Sequence, residues 1–429
     1  MAPGSSPEEA ADWSPARRLL FRFAFSYLLL YNLPFPLGWI PYVDVVADKY
    51  DALWETLVPW VGRRFCHLSI TIFPNGSGDT TFNYVQIACY LAIAVASTVL
   101  WTALDRKRKN YARLLAWLRV FVRFSLASAM ISYGGVKVIK SQFPNPTLGR
   151  LIQPIGDASP MGILWTFLGA SQSYNYFSGA AEMVSGLLLS LRRTTLLGAL
   201  LSLTVMSNVV VLNFSYDVPV KLYSFHLLAM AVFLVLPDLR RLADFFLFNR
   251  RVRPAPDRPL FRRTWAHRGT LALRTGLVVV FVFLMLNRAA TTRRTAGDLA
   301  PRSPLYGIWN VDFMELDGTT RPPLVTEATR WRRMVVESSR QLSLHLMDDS
   351  RHRYNLEIDP KQGTLVVTPR EDPRTKSTLA YKTLGPGLLS VEGTLGGQKI
   401  RARLHRVDES PFPLLRRGFH WINEYPFNR

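Results

Sequence analysis

The sequence predicts a polytopic α-helical membrane protein with about seven transmembrane helices and a C-terminal antiparallel β-barrel or sandwich. Two observations lead to this fold class. Apolar runs of about 20 residues, the length that crosses the hydrocarbon core of a bilayer, recur along residues 19–287. Residues 303–429 instead alternate polar and apolar residues in short runs, which is the period of strands with one buried face.

Each long apolar run defines one predicted span. The ranges are 19–40, 82–104, 113–137, 162–191, 194–215, 220–237 and 270–287. The fourth is the least regular, because small and polar residues at 169–175 interrupt it. It is either one span or a short apolar hairpin over 161–168 followed by a crossing over 176–191. Segments 45–61 and 240–249 carry apolar residues at helical spacing between charged ones, which predicts helices on the membrane surface.

The charge distribution gives the orientation of these spans. A formal net charge of +21 would suggest nucleic acid in a soluble protein, but Lys and Arg cluster in the short segments between apolar runs. The sequence therefore predicts the lipid bilayer, and no nucleic acid, as a partner. The basic segments follow an even number of crossings, which predicts a cytoplasmic N-terminus and an extracytoplasmic C-terminal domain. Basic residues at 288–302 lie on the wrong side in this arrangement, and one miscounted span would move the domain inside.

On this interpretation the chain has five parts. They are an N-terminal two-helix membrane segment with an outer loop at 1–112, a four-helix membrane core at 113–237, a basic cytoplasmic loop with an interfacial helix at 238–269, the seventh transmembrane helix at 270–287, and the extracytoplasmic β domain at 303–429.

Seven ionisable or amide side chains are predicted to lie in the outer half of the membrane or at its edge, where they could line one polar cavity. They are Lys137, Glu182, Asn208, Asn213, Asp217, Lys221 and His226. A charge in hydrocarbon costs a few kcal/mol or more, so each is either paired or part of a site. The lysines can also reach the headgroups, and Asp217 can pair with Lys221 across a turn.

Glu182 is the strongest of these candidates. It lies roughly 9 Å inside the predicted outer end of its span, so its short side chain needs a partner or a proton. The sequence identifies no catalytic residue, because no nucleophile and base occur at a known motif spacing. It also predicts no metal site, since Cys66 and Cys89 have neither metal-ligand nor dithiol spacing. Fingerprints for dinucleotides, haem and iron–sulfur clusters are lacking too.

Two segments resemble the DoxX family of small four-helix membrane proteins. They read RFSLASAMISYGGVKVIKSQFP at 123–144 and YFSGAAEMVSGLLLSLRRTTLLGALL at 176–201. In that family one helix ends in glycine and lysine near the outer surface, and the next carries a glycine, a glutamate and a glycine-rich apolar run. The residues at those places are Gly134 or Gly135, Lys137, Gly179, Glu182 and Gly186.

The resemblance covers about residues 113–237, so this chain looks like an enlarged bacterial member. It implies a DoxX-like four-helix core in the bacterial inner membrane and a role accessory to redox chemistry. A quinone is the cofactor that such a role would involve, and a redox protein is the corresponding partner.

The C-terminal part is predicted to form about eight strands. The runs are 306–316, 331–337, 341–347, 353–358, 364–368, 378–383, 388–395 and 400–407. Asp317-Gly318, Gln362-Gly363 and Gly396-Gly397 supply the positive backbone angles that hairpin turns need. Gly307-Ile308-Trp309 resembles the GxW start of lipocalin-like barrels, although three residues fit a generic β core as well.

Three functional hypotheses follow. The first is a DoxX-type accessory to redox or quinone chemistry with an outer-facing polar cavity. The second is a transporter or a protein that binds a lipid or a small hydrophobic ligand, in which the interrupted fourth span lines a substrate path. The third is a membrane scaffold whose β domain binds protein partners. A bound quinone favours the first, a tubular apolar cavity the second, and a barrel with a filled core the third.

Overall fold

The computed structural model describes residues 12–36, 44–73, 75–252 and 264–428, and it divides into two compact units. The helical unit comprises residues up to Ile139 together with Ser173–Ala289, and the barrel unit comprises Lys140–Gln172 and Ala290–Arg429. The sequence-based division placed 140–172 in the four-helix core. In the structure this segment groups with the strands, because Leu148 is buried against Ile308 and Val335.

Twelve described α-helices are numbered in chain order. They are α1 Pro15–Asn32, α2 Asp44–Phe65, α3 Thr81–Leu104, α4 Ala112–Val138, α5 Leu148–Leu151, α6 Pro160–Ala170, α7 Gln172–Ser190, α8 Thr195–Ser215, α9 Lys221–Val235, α10 Leu239–Phe246, α11 Thr264–Thr295 and α12 Pro413–Arg416. Ile155–Asp157 and Leu236–Asp238 form short 3-10 turns.

Five helical segments in the described part of the chain are long and apolar enough to cross a membrane. They are Thr81–Leu104, Ala112–Val138, Thr195–Ser215, Lys221–Phe246 and Arg268–Thr295. These five coincide with the predicted spans 82–104, 113–137, 194–215, 220–237 and 270–287. The prediction of apolar helices is confirmed there, and the total of seven crossings stays a prediction.

The first predicted span was drawn too long. Helix α1 begins after Ser14, whose hydroxyl accepts a hydrogen bond from Arg17 N, and it ends at Asn32 rather than at residue 40. Leu33 has extended backbone angles because Pro34 follows it, and a proline disfavours the helical conformation of the residue before it. Residues 37–40 of the predicted span lie outside the described ranges.

The fourth predicted span is two helices. Helix α6 ends at Ala170 and α7 begins at Gln172, with Ser171 extended between them. This confirms the interruption that the small and polar residues predicted. The two predicted surface segments are helical as well, as α2 and α10; their place on a membrane surface stays a prediction.

The C-terminal strands form a closed antiparallel barrel, which decides between the two predicted β architectures. The strands are β1 Gly307–Leu316, β2 Thr319–Thr320, β3 Trp331–Ser338, β4 Gln341–Leu346, β5 Arg351–Asp359, β6 Thr364–Pro369, β7 Ser377–Gly385, β8 Leu388–Leu395 and β9 Gln398–Arg406. Apart from the two-residue β2, each strand pairs with the next along the chain, and β9 pairs back with β1. All eight predicted strands are present.

The barrel interior is filled by the apolar face of the strands. Leu342 and Leu344 of β4, Leu365 of β6 and Val391 of β8 belong to one buried cluster that reaches every long strand. The turns follow the predicted chemistry, since Gly396 and Gly397 have φ angles of 58° and 84°. A pair of such positive angles gives a tight turn that matches the twist of the flanking strands.

Candidate functional site

Helices α4 and α7 approach each other through glycines, and this contact positions the candidate site. A Cβ atom added to Gly134 would lie 2.5 Å from the backbone nitrogen of Met183, and one added to Gly179 would lie 2.8 Å from the carbonyl oxygen of Gly134. A Cβ on Gly186 would meet the carbonyl oxygen of Ala127 at 2.8 Å. Only hydrogen fits between the two backbones, so these glycines are required by packing.

The close approach brings Lys137 of α4 against Glu182 of α7. The Lys137 ammonium donates a hydrogen bond to Oε1 of Glu182, and both residues are buried. The second carboxylate oxygen, Oε2, is also buried, and no hydrogen-bond donor of the described residues reaches it. A buried acceptor without a donor costs free energy, so a ligand that donates a hydrogen bond to this oxygen would be stabilised there.

A group of tyrosines and one histidine extends from this ion pair. Tyr133 lies one helical turn before Lys137 and is close enough to Glu182 for their charges to interact. Its ring centroid is 5.8 Å from that of Tyr223 on α9. Tyr31 of α1 is within electrostatic range of Tyr133 and Tyr223. Tyrosines from three helices therefore lie in one group, and Tyr133 connects this group to Glu182.

His226 lies at the other side of this aromatic group. Its ring stacks on Tyr31 with centroids 3.9 Å apart. Nε2 is 2.6 Å from the hydroxyl of Tyr27, and Nδ1 is 2.6 Å from the carbonyl oxygen of Leu222. Since the carbonyl can only accept, Nδ1 carries the proton and the Tyr27 hydroxyl donates to Nε2. Both nitrogens have protein partners, as in a histidine that contributes to packing.

The remaining predicted residues form separate contacts. Asn213 Nδ2 donates to the Ser224 hydroxyl at 3.0 Å, which joins α8 to α9. Lys221 pairs with Asp217 at 2.7 Å across the turn, as the sequence predicted. Asn208 is exposed on α8. The structure thus brings Lys137 to Glu182 and Asp217 to Lys221, and the convergence of all seven residues on one cavity stays a prediction.

Two polar residues that sequence reasoning missed stabilise the helical unit. Asp79 accepts hydrogen bonds from the backbone nitrogens of Lys221 and Leu222 at 2.8 and 2.9 Å, so it caps α9 across 142 residues of sequence separation. Arg22 is buried in α1, where its guanidinium donates to Thr102 Oγ1 at 2.8 Å and to the Tyr111 hydroxyl at 2.7 Å. Neither partner is close in sequence, so no local pattern identifies these contacts.

Within the described ranges, no group of three or more His, Cys, Asp or Glu side chains could hold a metal ion. Cys66 is exposed and Cys89 is buried, and both are free thiols. The helical unit does contain a buried ammonium–carboxylate pair with the Tyr133 phenol nearby.

Comparison with known proteins gives one relative. A Bacillus subtilis (strain 168) protein described as "Uncharacterized protein YwoB" is 32% identical over 143 residues, which are 33% of this chain and 87% of that protein. No protein-family model and no solved structure matches the chain.

Proposed function

The chain belongs to the family of the Bacillus subtilis protein YwoB, and from that premise we propose that it is a DoxX-type integral membrane protein that holds a quinone beside the Lys137–Glu182 pair. In this role it is an accessory to membrane redox chemistry. The single observation that carries the proposal is the buried ion pair, in which the second carboxylate oxygen accepts no hydrogen bond from the described residues.

Membrane insertion explains the surface of the helical unit. Large apolar side chains such as Leu277, Val279 and Phe283 of α11 are more than half exposed. A continuous apolar surface of this kind is unfavourable in water and favourable in hydrocarbon. We include α1 and α7 as two further crossings, since helices of 18 and 19 residues extend about 27 Å or slightly more at 1.5 Å per residue.

The basic segments orient these crossings. Arg17 and Arg18 precede α1, and Arg106 to Lys109 follow α3. With both segments in the cytoplasm, the N-terminus is cytoplasmic, the barrel unit is extracytoplasmic, and Lys137 and Glu182 lie in the outer half of a bacterial inner membrane.

The ion pair has the donor and acceptor that a quinone needs. A quinone carbonyl oxygen accepts a hydrogen bond, which the Lys137 ammonium can donate because it has three N–H groups. A quinol hydroxyl donates one, and Oε2 of Glu182 is a buried acceptor without a donor in the described chain. The rings of Tyr133 and Tyr223 supply the apolar faces on which a flat ring can stack.

Mass spectrometry of the lipids and quinones that co-purify with the protein tests this proposal. We expect a quinone in extracts of the wild type and its loss from Glu182→Gln, which keeps the size of the side chain and removes its charge. Asp244→Asn is the matched control, because Asp244 is a carboxylate of the helical unit whose partner is Arg250, 3.9 Å away on the surface.

The three extracts discriminate between the hypotheses. A quinone present in all three at equal amounts would contradict the proposed position, and the absence of quinone from all three would contradict the proposed ligand. A lipid lost only from Glu182→Gln would instead favour the lipid-binding alternative at the same site.

A second function is favoured for the barrel unit. Its interior is occupied by buried apolar side chains, including Met314, Leu356 and Val391, each at most 2% exposed. We propose that the barrel acts through its outer surface, as a module that binds partners, rather than by holding a ligand inside in the manner of a lipocalin. A pull-down experiment tests this second proposal by comparing the proteins captured by the full chain with those captured by a variant whose outer barrel surface is blocked by substitutions.

A further inference from the structure

The outer face of the barrel carries a basic cleft that the proposed quinone site does not use. It has a volume of about 160 Å³. Its lining includes Arg150, Glu337, Ser343, Arg351, Arg353 and Arg370. All six belong to the barrel unit, with Arg150 from α5 and the others from strands β3 to β5 and the end of β6.

Strand register explains why the arginines lie together. Ser343 of β4 is paired with Arg353 of β5, and Arg370 N donates to the carbonyl oxygen of Arg353 at 3.1 Å. Leu342 and Leu344 point into the barrel core, so the residues that alternate with them face outward. The cleft therefore lies on the solvent side of the barrel wall and not in its filled interior.

The cleft has an excess of positive charge. Four arginines and one glutamate line it, which gives +4 − 1 = +3. Glu337 Oε1 already accepts from Gly149 N at 2.9 Å and lies 3.6 Å from Arg351 Nη2. Arg150 Nη1 donates to the neutral Gln153 side chain at 2.8 Å. One carboxylate thus compensates one of four cations.

Arg351 is a half-buried member of the arginine cluster. Its Nε is buried, and no acceptor of the described residues reaches it. Burial lowers the pKa of this guanidinium, and so does repulsion from Arg353, Arg150 and Arg370, while Glu337 acts in the opposite direction. A cation that is both desolvated and repelled by three others is in a place that an external anion would stabilise.

A neighbouring histidine lies close to Arg351 of the same cluster. His345 follows Ser343 on the outward face of β4, and its ring nitrogen is 3.4 Å from the Ser343 hydroxyl. Burial lowers the pKa of His345 to about 4, with repulsion from Arg351, Arg333 and Arg332 as the next causes. Burial is the larger cause of the lowered pKa, and three neighbouring arginines add to it, so His345 lies beside concentrated positive charge.

We propose that this cleft binds a phosphoryl group, the chemistry shared by soluble phosphate, phosphate monoesters and phospholipid headgroups. Planar guanidinium groups bind phosphate oxygens through paired hydrogen bonds, and a phosphate carries the charge near −2 that a site of +3 favours over a carboxylate. The volume is below the roughly 300–1,000 Å³ of sites that enclose whole small molecules, so the cleft recognises a charged head and leaves the rest of the ligand outside.

Calorimetric titration of the full chain in a neutral detergent tests the proposal. The probes are inorganic phosphate, a water-soluble short-chain phosphatidic acid and acetate. We expect saturable binding of the phosphoryl probes, weaker binding of acetate, and a loss of affinity with rising salt. Arg353→Gln and Arg370→Gln are each expected to weaken binding about tenfold, the effect of one hydrogen bond to a charged group.

The variants keep the test independent of folding. Arg351→Gln changes a half-buried residue and can fail to fold, whereas Arg353 and Arg370 are exposed. Arg403→Gln is the matched control, since Arg403 is an exposed strand arginine that lies over the ring of Phe313 on another part of the barrel. It is expected to bind phosphate as the wild type does.

Each outcome has a defined meaning. Phosphatidic acid binding more than tenfold tighter than phosphate identifies a lipid headgroup as the source of the phosphoryl group, and equal binding identifies a soluble phosphate. Acetate binding as tightly as phosphate overturns the proposal, as does a titration that does not saturate or an equal loss in Arg403→Gln. None of these results depends on the Lys137–Glu182 site.

Discussion

The helical unit and the barrel unit have opposite distributions of polarity. In the helical unit, large apolar side chains such as Leu277 and Phe283 are exposed, while the charged Lys137, Glu182 and Arg22 are buried. In the barrel unit, the apolar side chains fill the interior and the arginines of the basic cleft lie on the outer face. The helical unit thus presents apolar side chains outward and the barrel unit polar ones, which is the pattern expected if hydrocarbon surrounds the helices, as proposed, and water surrounds the barrel.

The difference shows what a buried charge requires in each unit. A helix in hydrocarbon satisfies its backbone internally, and its charged side chains then have to find partners on neighbouring helices. A barrel in water can leave its charged side chains at the surface, where they keep their hydration. Among the described residues of the barrel unit, Lys140 and Arg330 are exceptions, being 3% and 2% exposed. Lys140 pairs with Asp298, whereas the Arg330 guanidinium is satisfied by backbone carbonyls rather than by a carboxylate.

The largest expected effect concerns the buried ion pair. Glu182→Leu leaves the Lys137 ammonium buried without its counter-charge, which is expected to lower the free energy of unfolding by about 3–5 kcal/mol. Unfolding of the purified protein in detergent with increasing denaturant measures this. The double variant Lys137→Met/Glu182→Leu is expected to recover most of the loss, because the remaining side chains are apolar.

Asp244→Asn is the control for the single and double variants of the ion pair. Asp244 and Arg250 are partly exposed and 3.9 Å apart, so their separation is expected to cost less than about 1 kcal/mol. A double variant as unstable as the single one would show that the pair is held by more than mutual charge. The contrast between buried and surface charges would then not explain this unit.

The second largest expected effect concerns Arg330, the buried arginine of the barrel. Arg330 donates to the carbonyl oxygens of Arg321 at 2.9 Å and Val311 at 3.1 Å. Arg330→Met leaves these buried acceptors without donors and is expected to destabilise the barrel by about 3 kcal/mol. Hydrogen exchange of the full chain, followed by mass spectrometry, should show faster exchange in the barrel strands, with the largest increase in β1 and β3, and unchanged exchange in the helical unit.

Arg330→Lys separates charge from geometry. Lysine keeps the charge but lacks the planar fork that reaches several carbonyls at once, so little recovery is expected. If the amide hydrogens of the lysine variant exchange as slowly as those of the wild type, this end of the barrel tolerates a buried point charge, as the helical unit does.

The third effect is smaller and concerns the contact that creates the ion pair. In Gly179→Ala the new methyl group meets the Gly134 carbonyl oxygen and the Val138 nitrogen, each at 2.8 Å, so α4 and α7 have to separate. We expect a loss of about 1–3 kcal/mol in the free energy of unfolding, typical of overpacking. Gly276→Ala in α11 is the control, because nothing lies within 4 Å of its Cβ position.

Periodicity predicted the elements of both units because each side chain's environment repeats along a helix or a strand. The strands 388–395 and 400–407 were predicted within two residues of their observed bounds, and the break near Ser171 followed from its small and polar neighbours. The end of α1 was missed because the apolar run continues past Asn32, while the proline at position 34 determines where the helix stops.

Contacts between distant segments were harder to predict. Glu182 was identified as needing a partner, and Lys137 was among the candidates, but their pairing depends on glycines that bring two helices together. The basic cleft was not predicted at all. Its arginines lie on β5, after β6 and near α5, and only the register of the barrel and the position of residues 140–172 bring them together.

The smallest effect follows from the field at the outer face of the barrel, where His345 titrates. Its pKa is lowered from an ordinary 6.5 to about 4 by burial and then by Arg351, Arg333 and Arg332, with Asp349 opposing. The unfolded chain therefore binds a proton between about pH 6.5 and 4 that the folded barrel does not, so stability falls as the pH drops through this window and is constant above it.

Nuclear magnetic resonance of the protein labelled at histidine measures this titration directly, and His345→Gln assigns the signal. We expect a midpoint near pH 4 in the wild type and a higher midpoint in Arg351→Gln, because this substitution removes the arginine that lowers the pKa of His345 most. A midpoint that stays at 6.5 would mean that neither burial nor the neighbouring arginines lowers the pKa of His345. Water would then screen the arginines of the barrel. The two units would in that case differ only in where their apolar side chains lie.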